Sequence, residues 1–180
     1  MKRPYSIKIF LPGGDPDGLR TIEKSNWSGA GIVIPRALMA EARQRREVSR
    51  TGVYILVGPA EESGLQRIYV GEGDPIKPRL EQHAAKKDFW TSCIAFTSKD
   101  ENLTKAHIRY LEGKLIEKAR QVNRALVMNG QGSGSKLPES DREDMKVFLE
   151  KVYQLLPVLG VELLVSASGK ALTDTEKGML

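Results

Sequence analysis

Cysteine is nearly absent from this chain. Cys93 stands alone, which rules out an internal disulfide and any thiolate-based metal centre. Histidine is almost as scarce: His83 and His107 are too few for a His-rich zinc site. Any metal bound here is therefore expected to be a hard cation on oxygen ligands. No apolar run approaches the ~20 residues needed to cross a bilayer, so no membrane partner is expected. The early basic residues Lys2 and Arg3 lead into no signal-peptide core, because Lys8 and the Gly13-Gly14-Asp15 turn interrupt it, and the chain reads as cytoplasmic. Acidic residues are outnumbered, 23 against 28 Lys and Arg, for a net charge of +5. That balance is compatible with nucleic acid without requiring it, since a solvated basic face would give the same count.

What is present is an ordinary globular composition: 180 residues, 40% hydrophobic and 28% charged, enough for one good core. The positive charge is local. Arg43, Arg45, Arg46 and Arg50 form one group, and Lys77, Arg79, Lys86 and Lys87 another.

Three segments are expected. Residues 1–49 read as a small β-rich module. Strands are predicted at 5–10, through Leu19–Lys24 and at Gly31–Pro35, followed by a basic helix from Arg36 to about Arg46. Residues 50–130 read as strand (Gly52–Val57), strand (Arg67–Val70), helix (Ile76–Ala85), strand (Ser92–Thr97) and long helix (Leu103–Val122), with the first two strands antiparallel. Cys93 falls in the third of these strands, where a buried, inert thiol is expected. Residues 131–180 read as the end of a flexible linker that starts at Asn129, then an amphipathic helix from Asp144 that Pro157 ends, and a strand at Val161–Val165. The residues from Asp174 on are expected to fray. The fold class is α/β (α+β), a small sheet containing antiparallel strands and flanked by helices.

Two tripeptides stand out at strand ends: Gly52-Val53-Tyr54 and Tyr69-Val70-Gly71. The turn Glu72-Gly73-Asp74-Pro75 follows, and its glycines let backbone approach a ligand closely. Arg79 and His83 are four residues apart on the next helix and share a face. In the long helix, Ile108, Leu111, Leu115, Ile116, Ala119 and Val122 make an apolar stripe, with Glu112 inside its arc. A carboxylate there needs a partner, because an unpaired buried charge is costly. Either a cation such as Arg109 bridges it, or it ligates a metal. Trp27, Phe89 and Trp90 read as packing residues, with base stacking by Trp27 as the minor alternative.

Taken in order, Gly52-Val53-Tyr54, Tyr69-Val70-Gly71, Arg79 with His83, and Leu111-Glu112 resemble the signature of the GIY-YIG nuclease superfamily. The resemblance is closest to bacterial members of poorly defined role and spans about residues 52–130. It implies the GIY-YIG fold, carrying the small N-terminal module and a C-terminal helix. It also implies endonucleolytic hydrolysis of phosphodiester bonds in nucleic acid, DNA rather than RNA. By position, Tyr54 would be the general base and Tyr69 would orient the phosphate or assist that base. Arg79 would bind the phosphate, His83 would hydrogen-bond the catalytic tyrosine, and Glu112 would be the sole protein ligand of Mg²⁺ or Mn²⁺. Gly71, Gly73, Lys77 and Asn123 would line the substrate, with Asn129 the other asparagine that fits. Many members carry Lys or Thr just after the second motif, where this chain has Glu72-Gly73. That departure favours the alternative of a catalytically silent module binding nucleic acid or a protein partner. Oligomeric state stays open, and a dimer is one way to cut both strands.

Overall fold

The computed structural model describes residues 2–130 and 134–164. Seven strands make one mixed sheet in the order β1-β2-β3-β6-β4-β5-β7. These are β1 Ile7–Phe10, β2 Arg20–Lys24, β3 Gly29–Pro35, β4 Gly52–Gly58, β5 Gln66–Gly73, β6 Ser92–Ser98 and β7 Ala125–Val127. Four α-helices accompany them: α1 Met39–Ala42, α2 Lys77–Lys86, α3 Lys105–Val122 and α4 Glu139–Val158. Strands of the first 49 residues continue the same sheet as those that follow, since β3 pairs with β6 from Gly29↔Ser98 to Pro35↔Ser92. All neighbours are antiparallel except β5 and β7, which run parallel over Gln66↔Ala125 to Ile68↔Val127.

Alternation along the strands sorts side chains to two faces. Val53, Ile55, Ile68, Val70, Ile94 and Phe96 face α3 and α4 in the larger core. Tyr54, Leu56, Ile32, Cys93 and Ala95 face α1, α2 and the segment around Val48 in the smaller one. Cys93 is fully buried, and burial pushes its thiol well above the ordinary value, as expected of an inert group. Trp27 packs against Phe148 of α4, ring centroids 5.1 Å apart, as expected of a packing residue.

Several expectations need correction. The basic helix after Pro35 breaks into a 3-10 turn (Arg36–Leu38), four residues of α1 and a second 3-10 turn (Arg46–Ser49). Helix α3 begins at Lys105, not Leu103, because Thr104 caps it. The Thr104 hydroxyl accepts from His107 N, while His107 Nδ1 accepts from Thr104 N. Asp100 is instead spent on the preceding turn, accepting from Asn102 N at 3.1 Å. Helix α4 starts five residues before Asp144 and runs one past Pro157, which lies inside its last turn. Residues 161–164 form no strand, with Val161 N donating to Leu156 O at 2.9 Å after Gly160 turns the chain at φ +83°. Val165 and the residues expected to fray lie outside the described residues.

The expected linker is tied down at both ends. Arg120 donates to the carbonyls of Asn129 and Gly130, and Ser135 Oγ donates to Ala106 O at 2.8 Å. Strand β7 was not expected: three residues after a helix give no periodicity to read. No helix among the described residues is long and apolar enough to cross a membrane.

Candidate active site

The free edge of β5 brings the two faces of the sheet together. Strand β7 covers that edge only as far as Ile68, after which Met128 N donates to Ile68 O at 2.8 Å. The side chain of Asn129 then imitates one more strand residue, accepting from Val70 N at 2.9 Å and donating to Val70 O at 2.7 Å. From Gly71 to Gly73, β5 has a strand partner only on its β4 side.

Tyr54 and His83 meet on the α2 face. The phenol oxygen lies 2.7 Å from His83 Nε2, and both residues are buried. Burial raises the Tyr54 pKa well above its usual 10, with Arg79 pulling the other way. Burial, and then the charges of Arg79 and Lys87, lower His83 to about 4. Both are therefore neutral at pH 7, which makes the phenol the donor and Nε2 the acceptor. Tyr69 stacks its edge on His83 at 5.1 Å, and Lys87 Nζ sits 4.4 Å over the Tyr69 ring.

Small residues make this geometry possible. A Cβ on Gly71 would overlap the hydroxyl end of the Tyr54 ring. A Cβ on Gly73 would come within 2.7 Å of Pro75 O and 3.2 Å of Arg79 Cγ, so that the start of α2 could not fold back on the strand.

Glu112 occupies the α3 face. Alternation turns Glu72 to this same face, with Ile68 and Val70. Burial, and then the charge of Glu72, push the Glu112 carboxyl up to about 7, while Arg79 and Arg109 oppose them. No described residue gives Glu112 a hydrogen bond or an ion pair, so the bridge to Arg109 is not formed. The charge of Arg79 acts on Tyr54 on one face of the sheet and on Glu112 on the other.

Tyr54, Tyr69, Gly71, Gly73, Arg79, His83 and Glu112 thus come together, joined by Glu72. Two expected residues do not join them. Lys77 lies about 200° around α2 from Arg79, on its opposite side. Asn123 is the left-handed C-cap of α3, at φ 55°. It precedes Ala125, which pairs with Gln66, a point ~17 Å down β5 from Gly71. Asn129 is the asparagine at the site's edge.

Sequence reasoning missed the residues that brace α2. Arg36 donates to Ala84 O at 2.7 Å and to Trp90 O at 3.2 Å, Trp90 Nε1 donates to His83 O at 3.3 Å, and Arg43 pairs with Glu81 at 2.9 Å. An arginine beside a helix it has no sequence proximity to carries no signal in one chain.

Comparison of the chain with protein-family models, curated proteins and solved structures found no match.

Proposed function

We propose that this chain is a metal-dependent endonuclease that hydrolyses phosphodiester bonds, DNA before RNA, with a site of the GIY-YIG type. One observation carries the reading: a half-buried carboxylate with no hydrogen bond or ion pair among the described residues lies across an open strand edge from a buried Tyr–His pair, and the charge of one arginine, Arg79, acts on both.

A divalent cation suits the donors present. Glu112 is a hard oxygen ligand lacking a cation, and Glu72 adds negative charge beside it. Among the described residues no three His, Cys, Asp or Glu side chains form a metal cage. One or two carboxylates with several waters and substrate phosphates are what Mg²⁺ accepts, whereas zinc prefers a closed protein set. When bound, such an ion supplies Lewis-acid stabilisation of charge on the phosphate oxygens.

The chain's own groups divide the remaining work. Arg79 grips the phosphate, its planar fork matching two oxygens. Water hydrogen-bonded to the Tyr54 oxygen passes its proton there as it attacks phosphorus, and Tyr54 hands its own proton to His83 Nε2. The P–O bond to the leaving sugar oxygen breaks, and that oxygen takes a proton from solvent. Tyr54 alone is too weak an acid to work as a resident phenolate. A phosphate on Arg79 neutralises one of the charges that hold His83 down, so substrate itself makes the acceptor more basic.

A silent binding module is favoured by one feature, Glu72, which repels a phosphate approaching Arg79. Supercoiled plasmid incubated in Mg²⁺ or Mn²⁺, beside Glu112→Ala and an EDTA control, separates the two. Nicking that needs metal and disappears in the variant supports the nuclease. Equal inertness of both proteins on single-stranded, duplex and branched substrates sinks it.

A further inference from the structure

A second basic cavity lies on the same side of the sheet. One register row crosses five strands, Gly73↔Gly52↔Thr97↔Ala30↔Glu23, so the end of the candidate site and the floor of this cavity are level with each other. The cavity, about 330 Å³, has Thr21, Glu23 and Ala30 for its floor. Its walls include Arg45, Arg46 and Arg50, with Lys99 at the side.

Its basic side chains suit it to an anion. Glu47, 8% exposed, holds Arg45 through a 3.0 Å ion pair, which fixes that guanidinium in place. The Nε–H of Arg45 and Oε2 of Glu47 are both buried with no hydrogen-bond partner among the described residues. Arg46 and Arg50 have neither ion pair nor side-chain hydrogen bond among the described residues. Lys99 is held only by an exposed 3.4 Å pair to Glu23, a weak contact that a phosphate can replace. The cavity is also joined to the candidate site. Arg50 O accepts from Ile76 N at 3.0 Å, and the neighbouring Thr51 hydroxyl donates to Asp74.

We infer that this cavity is a phosphate-binding site, in which Arg45, Arg46 and Arg50 hold a backbone phosphate of the nucleic-acid strand being cut, away from the scissile bond. Ala30 stands three strand spacings from Gly73, ~14 Å. That is about four base pairs along a duplex. The choice of nucleic acid as the source of phosphate rests on the proposed function; the cavity's fitness for phosphate does not.

The test measures binding without cleavage, in EDTA. Fluorescence anisotropy follows a labelled 20-nucleotide strand and the matching duplex across a salt series, for wild type, Arg46→Gln/Arg50→Gln and Arg46→Lys/Arg50→Lys. A parallel arm titrates inorganic pyrophosphate and follows the arginine Nε–H signals by NMR. The Gln pair is expected to bind nucleic acid about tenfold more weakly and to flatten the log–log salt slope by about 1. The Lys pair should recover most of both. Arginine dependence of binding in a protein that never cuts would leave the site standing and remove the nuclease. Saturable pyrophosphate binding lost in the Gln pair, with nucleic-acid affinity unchanged, would keep the phosphate site and overturn its assignment to the substrate strand. No saturable shift, together with unchanged affinity and slope, overturns the inference altogether.

Discussion

The two sides of strand β5 treat buried polar groups in opposite ways. On the α2 side, Tyr54 and His83 satisfy each other across 2.7 Å, and burial leaves both neutral and complete. On the α3 side, Glu112 is pushed toward neutrality by the same physical cause, and the charges of Arg79 and Arg109 oppose this without a hydrogen bond or ion pair to it among the described residues. A core can keep the first arrangement for stability alone. The second leaves a half-buried carboxylate that, under the proposed function, a cation from solvent would satisfy. One half of the site is closed and the other is waiting.

Removing the hydroxyl from the closed half should have the largest effect. Tyr54→Phe keeps the ring and the packing but breaks the proton path, so cleavage is expected to fall by about 10²–10⁴-fold. Anisotropy should show substrate binding retained. Loss of binding in step with activity would make Tyr54 a structural residue and erase the contrast.

The two halves should also respond to pH with opposite signs. His83 is lowered from 6.5 to about 4, so its contribution is present above pH 6.5 and is lost as pH falls through about 4. Glu112 is raised from 4.5 to about 7, so its contribution is present below pH 4.5 and is lost as pH rises through about 7. Each amounts to ~3 kcal/mol over its range, and between pH 4.5 and 6.5 they largely cancel. In metal-free urea denaturation, Glu112→Gln should unmask the histidine slope, matching wild type in acid and exceeding its stability above about pH 7. Parallel pH profiles for wild type and variant would mean that Glu112 titrates as an ordinary surface carboxylate.

Gly71→Ala should have a smaller effect on stability and sharpen the geometry. The added methyl displaces the Tyr54 hydroxyl, which predicts a loss of about 1–3 kcal/mol and activity as low as that of Tyr54→Phe. Unchanged stability and activity would show that Tyr54 has room to spare.

Much of this was legible in the sequence, for reasons that explain the rest. Tyr54, Tyr69, Arg79, His83 and Glu112 sit at fixed places on regular elements, where periodicity 2 or 3.6 tells which face each takes. Their elements were found to within a few residues. Lys77 and Asn123 were misplaced because motif spacing counts residues and not rotation about a helix or direction along a strand. Asn129 was passed over because its neighbours, Gly130 to Ser135, have a linker's composition. It is ordered by two hydrogen bonds to a strand 59 residues away, and no local rule sees those. The seven-stranded sheet was hidden for the same reason: Gly29–Pro35 reads as a strand, but nothing in it names Ser92–Ser98 as its neighbour.

The contrast between the closed and waiting halves has one most direct test. Crystals of the full chain soaked in Mn²⁺ would be examined by anomalous diffraction. A manganese peak is expected on the Glu112 carboxylate, on the side facing Arg79, with the Tyr54–His83 bond unbroken. A site without manganese, and Glu112 turned into an ion pair with Arg109, would contradict it.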